Sequence, residues 1–147
     1  MQLVDTKDLK IYCSSEPDPY ARVVMPDDSP EEIEDKEDFP FKLGNPIWME
    51  IIYKEKLYEL FFRKGWKWNG ANIPEIFWII FGSNARPKYL LPSMVHDRLC
   101  NDKYIIYNNR YLSSLIFKEL LLACKSPKST AFLMFHSVDN YQKFQNW

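Results

Sequence analysis

The chain holds two histidines, His96 and His136, and the first is followed directly by Asp97. A histidine near a carboxylate is the minimal equipment for activating a water as general base. Successive residues on a helix point about 100° apart. Asp97 is therefore badly placed to orient its own neighbour, and the orienting group must come from elsewhere; Asp102 and Asp139 are the candidates on helical segments. Cys100 stands one turn beyond His96, at the i,i+4 spacing that brings a thiol to an imidazole. An apolar setting would raise the pKa of that thiol and blunt it. A phosphohydrolase of the His-Asp type needs further histidines and a distant aspartate converging on metal. A zinc peptidase needs three protein ligands. Two histidines and no C-x-x-C pair do not supply either set, so neither a metal nor a cofactor is expected. On the helical wheel His96 shares the apolar side with Pro92, Leu99 and Cys100, whereas Asp97 lies with Ser93 and Asn101 on the polar side. The favoured reading makes His96 an inward brace, hydrogen-bonded to the backbone of the turn at Asn69–Ala71, because a buried polar group needs such a partner. The alternative is a small hydrolase with His96 as general base beside Asp97 or another carboxylate. His136 is expected as a half-exposed surface residue.

The elements that must position these groups change period along the chain. Ile47–Tyr53 and Leu57–Phe62 are rich in aromatic and β-branched residues and flank the polar Lys54-Glu55-Lys56, which reads as a β-hairpin over about 47–63. Gly65–Trp68 is a further strand-like piece leading into Asn69-Gly70. A helix is expected from Asn72 to about Gly82, with Asn72 as N-cap, Pro74 in the first turn and Glu75 closing a capping box. A second should cover about Pro87 to Asn101, with an irregularity at Pro92. A third spans about Asn108 to Cys124, its apolar stripe made by Leu112, Leu115, Ile116, Leu120 and Ala123. A fourth begins after Ser126-Pro127 and reaches about Phe144. Strands followed by helices predict an α+β fold, in one domain, with a small antiparallel sheet packed against about four C-terminal helices. Trp48, Trp66, Trp68 and Trp78 are read as core. A base-stacking role for them would need basic neighbours, and Arg63, Lys64 and Lys67 form only a small cluster.

Composition narrows the partners. Of 147 residues, 46% are hydrophobic and 16% aromatic, which excludes a wholly disordered chain. The net charge of −1 gives no global basic field, so nucleic acid is not an expected partner. No apolar run approaches the length of a membrane span. Asp5 and Asp8 stand where a signal peptide would be apolar. Cys13, Cys100 and Cys124, an odd and widely spaced set, read as reduced thiols of a cytosolic protein. Charge is concentrated between Ser14 and Pro40, where ten acids face two bases, 2 − 10 = −8. Five prolines there forbid a long helix. This acidic, Pro-rich segment (about 14–40) is either a solvated loop or a surface for a basic partner, with Glu31, Glu32, Glu34, Asp35 and Asp38 as candidate contacts.

Two motifs carry a resemblance. Trp68-Asn69-Gly70-Ala71-Asn72-Ile73-Pro74 and, after a short aromatic helix, Val95-His96-Asp97-Arg98-Leu99 resemble an uncharacterised bacteriophage and prophage family, the domain of unknown function numbered 1353. Its pattern is D-G-A-S-I-P followed by H-D-x-L-Y. The resemblance covers about Gly44 to Asn101 and weakens through the last two helices; it implies phage origin and an α+β fold, but no reaction. The family's Asp stands here as Asn69, its Ser as Asn72 and its Tyr as Cys100. Asn keeps N-cap chemistry at position 72 and turn chemistry at 69. It does not keep a carboxylate, so Asn69, Gly70, Asn72 and Pro74 read as structural. The expected function is protein–protein binding without catalysis, in the host cytoplasm or on the virion. The partner would be a phage structural protein or a host defence nuclease inhibited in the manner of an anti-CRISPR. The acidic segment and the aromatic hairpin would be the contact surfaces.

Overall fold

The computed structural model describes residues 1–14, 21–23, 30–31, 41–68 and 87–147. Among these residues seven strands are seen: β1 (Gln2–Asp5), β2 (Leu9–Cys13), β3 (Ala21–Val23), β4 (Phe41–Leu43), β5 (Ile47–Tyr53), β6 (Lys56–Phe62) and β7 (Lys67–Trp68). From residue 87 onward three α-helices follow: α1 (Pro87–Asn101), α2 (Arg110–Ala123) and α3 (Lys128–Phe144), with a 3-10 turn at Lys103–Ile106 between the first two. The fold is α+β, as the succession of strands and helices predicts. The helix expected at 72–82 lies outside the described residues.

The principal sheet is antiparallel, in the order β1-β2-β5-β6. Its centre is the hairpin, and Tyr53 pairs with Lys56. The connection is therefore two residues, Lys54 and Glu55, and not three. Both have positive φ, 48° and 68°, which is the turn whose twist suits a hairpin and which normally recruits Asn-Gly. Strict alternation then sorts the side chains. Ile47, Met49 and Ile51 of β5 and Tyr58, Leu60 and Phe62 of β6 point inward with Leu9, Ile11 and Cys13 of β2. Beneath them lie Leu91, Met94, Val95 and Leu99 of α1 and Leu112, Ile116 and Leu120 of α2. A second apolar cluster joins the three helices through Tyr89, Phe117, Leu121, Ala131, Met134 and Val138.

A smaller sheet has the order β3-β4-β7. Ala21–Val23 thus forms a strand inside the acidic segment, pairing with Phe41–Leu43, where a loop was one of two expectations. The N-terminal pair β1-β2 was not expected either. Its signal was the alternation Leu9, Ile11, Cys13, each buried.

Helix boundaries agree closely with the apolar periodicity. α2 starts one residue after Asn109, whose side chain accepts from Leu112 N at 3.0 Å as N-cap. Pro92 sits within α1 without ending it. Trp48 corrects the expectation that it is core: it is 61% exposed, because β5 turns even-numbered side chains outward. Trp68 is fully buried.

Candidate functional site

Helix α1 faces two partners at once, and its surface divides accordingly. Leu91, Val95 and Leu99 enter the core with the sheet. A second stripe, Ser93, His96, Asp97 and Cys100 (i, i+3, i+4, i+7), runs along a small cavity closed by Phe117 of α2 and by Val138 and Gln142 of α3. Asp97 and Ser93 are therefore not on a solvated side. Ser93 is buried, and Asp97 is half-buried and lines the same cavity as His96. The wheel sets His96 and Cys100 on a different side from Ser93 and Asp97, but all four line one cavity against α2 and α3.

His96 is 6% exposed. Its ring lies against Phe117, with centroids 4.9 Å apart. The Cys100 sulfur is 3.6 Å from Nε2 and 3.7 Å from Nδ1. Burial holds the imidazole pKa down at about 4, although the negative charge of Asp139 pulls the other way. Burial, helped by the charge of Asp97, pushes the Cys100 thiol up to about 12. Burial also raises the Asp97 carboxyl. At neutral pH the pair is a thiol beside a neutral imidazole, whereas nucleophilic catalysis needs the thiolate.

Neither carboxylate proposed to orient the imidazole does so. Asp102 accepts from Arg98 Nε at 2.6 Å. Asp139 accepts from Arg110 Nε and Ser114 Oγ, both at 3.0 Å, and Lys143 lies 3.7 Å away. The cavity volume is about 30 Å³. That is room for a water or two, and ligand pockets are typically about ten times larger. No cluster of three or more His, Cys, Asp or Glu suited to a metal occurs among the described residues.

The expected bond from His96 to the 69–71 turn falls outside the described residues, as do Asn69, Gly70, Asn72 and Pro74 themselves. A different side chain ties the smaller sheet to α1. Trp68 Nε1 donates to Ser93 Oγ at 3.2 Å, and Ser93 Oγ donates to the Leu90 carbonyl at 3.0 Å. Sequence reasoning passed over Ser93; its place in the polar i, i+3, i+4, i+7 stripe was the available signal. His136 is exposed and packs edge-on against Phe132 and Phe135.

A second candidate is the outer face of the principal sheet. Trp48 and Phe61 are cross-strand partners, their ring centroids 4.5 Å apart and their planes tilted 45°, and they are exposed by 61% and 42%. Next along the strands come Glu50 and Glu59, directly opposite each other and both exposed, with Tyr12 beside Glu50. Ile52 and the exposed Leu57 follow. Of the acidic contacts named from sequence, Glu31 is exposed, and Glu32, Glu34, Asp35 and Asp38 lie outside the described residues. No helix among the described residues is long and apolar enough to cross a membrane.

No curated protein and no solved structure matches the chain. One family model does, over residues 46–138, which takes in the hairpin, α1, α2 and the first part of α3. That span exceeds half of the sequence and contains both motifs, and so the chain belongs to the family described as protein of unknown function DUF1353.

Proposed function

We propose that this chain is a non-catalytic accessory protein of phage origin that works by binding another protein. The observation carrying the reading is the solvent-facing Trp48–Phe61 pair. Large aromatic rings in contact on an exposed sheet face are the material of interface anchors. The −8 segment between Ser14 and Pro40 adds a preference for a basic partner. The phage setting rests on the motif resemblance. The partner is then a phage structural protein or a host defence component, met on the virion or in the host cytoplasm. Against a hydrolase stand the water-sized cavity, the weakly basic imidazole and the protonated thiol.

The test is co-precipitation from phage-infected cells with three proteins: wild type, Trp48→Ser/Phe61→Ser, and Glu31→Ser/Glu32→Ser/Glu34→Ser/Asp35→Ser. The reading expects a partner held by the wild type and lost from the aromatic double variant. Both variants should keep the wild-type melting temperature to within a few degrees, because the altered aromatic side chains face solvent. Identical captures from all three proteins would defeat it. A hydrolytic turnover that vanishes in His96→Gln with the fold intact would put the hydrolase in its place.

A further inference from the structure

From the outer sheet face we infer that it seats an arginine side chain of a basic partner protein, with the guanidinium held between Glu50 and Glu59 and laid against Trp48. This rests on the protein-binding reading above and deepens it by naming what the partner must present.

The hairpin register makes the seat. With Tyr53 opposite Lys56 across a two-residue turn, pairs along the ladder alternate between hydrogen-bonded and not. Tyr53–Lys56, Ile51–Tyr58 and Met49–Leu60 are of the first kind. Glu50–Glu59 is of the second, in which side chains come closest, with Cβ atoms about 4.5–5.5 Å apart. Two carboxylates so placed repel each other. Neither has an ion-pair partner among the described residues. Lys10, on the same face by register, pairs across from Ile52 and is engaged with Asp5 at 3.7 Å.

A cation entering between them removes the repulsion, and the geometry selects which one. Two carboxylates projecting side by side from one face can be bridged by a planar, forked guanidinium through its several N–H groups. The adjacent indole of Trp48 offers a face for the same plane. Ammonium gains the charge contact but not the fork or the stack. Phe61, Leu57 and Ile52 above and below would take apolar neighbours of the arginine. A second copy of this chain is a poor occupant, because a two-fold contact centred here sets Glu50 and Glu59 against the same carboxylates.

The probe is the peptide acetyl-Leu-Arg-Leu-Arg-Leu-amide, followed by ¹H–¹⁵N spectra of the intact protein at low salt, beside its lysine counterpart. Saturable shifts are expected at the Trp48 indole and at the Glu50, Glu59 and Phe61 amides. The lysine peptide should bind several-fold more weakly, and Glu50→Gln/Glu59→Gln should weaken the arginine peptide about tenfold. Equal binding of both peptides, unchanged binding by the Gln variant, or shifts confined to residues 27–38 would each overturn the inference. So would peptide-independent self-association that broadens the same signals. If infected-cell captures depend on Trp48 and Phe61 but not on Glu50 and Glu59, the protein-binding reading stands and the arginine seat falls.

Discussion

Lowering the pH should strike this fold through one side chain. His96 is buried with a pKa of about 4, against an ordinary 6.5 in the unfolded chain. A histidine depressed by burial is neutral in the native state while its unfolded counterpart takes up a proton. Below about pH 6.5 the unfolded chain binds more protons, so stability falls as pH falls, until the native imidazole also titrates near 4. The full offset amounts to about 3 kcal/mol, of which about 2 has been lost by pH 5. For a chain of this size that is roughly 4–8 °C in melting temperature. Asp97 works in the opposite sense, since its raised pKa makes the native state hold a proton more tightly. The clean measurement is therefore a difference: urea unfolding of wild type and His96→Gln at about pH 7.5 and about pH 5. Wild type should lose about 2 kcal/mol more than the variant over that interval. Equal losses would mean that the imidazole is hydrated and titrates normally, and the packing against Phe117 and Cys100 would have to be abandoned.

Other outcomes follow from single contacts. Cys100, with its thiol pushed up to about 12, should resist iodoacetamide in the native protein at mildly alkaline pH and react at the free-thiol rate in urea, as mass spectrometry of timed quenches would show. Glu59→Lys replaces a like-charged cross-strand pair by an opposite one and should stabilise the free protein by roughly 0.5–1 kcal/mol, read in a thermal melt, while abolishing binding of the arginine peptide. Lys54→Asn/Glu55→Gly supplies the residues that the positive-φ turn prefers and should add about 1 kcal/mol in the same assay. Trp68→Phe removes the donor to Ser93 and should cost about 1–2 kcal/mol in urea unfolding, part of it lost indole packing.

Periodicity makes most of the described architecture legible in the sequence. The hairpin alternates because one face is buried, and α2 repeats Leu112, Ile116 and Leu120 because one stripe meets the sheet. What escaped is what depends on two partners at once. A helical wheel assigns one apolar and one polar side, yet α1 packs against the sheet on one flank and against α2 and α3 on another, so the polar side that holds Ser93 and Asp97 is itself covered. The expectation for Trp48 failed for a related reason: residue type said core, whereas its place in the alternation with Ile47 and Met49 said surface, and the alternation decided. β1 and β2 were missed because so short a strand pair has few residues to show a period.

The Val95–Cys100 stretch is then understandable as a junction. Val95 and Leu99 enter the apolar core. Arg98 reaches back to the sheet, where Nη1 donates to the Phe61 carbonyl at 2.9 Å and the guanidinium lies 4.9 Å from the Trp66 ring. His96, Asp97 and Cys100 face the cavity under α2 and α3. Six consecutive residues thus fasten one helix in three directions, and each residue type suits its direction. A histidine serves such a junction well, since it fills aromatic space against Phe117 while remaining able to bond a thiol or a trapped water. Because Arg98 grips the carbonyl of Phe61, the same junction also sets the position of the strand that carries Phe61 and Glu59. Loosening it with Arg98→Ala should therefore disturb the outer face through β6, weakening arginine-peptide binding although residue 98 lies outside the proposed seat. Undiminished binding in that variant, with the fold retained, would show that the hairpin holds its outer face without help from α1.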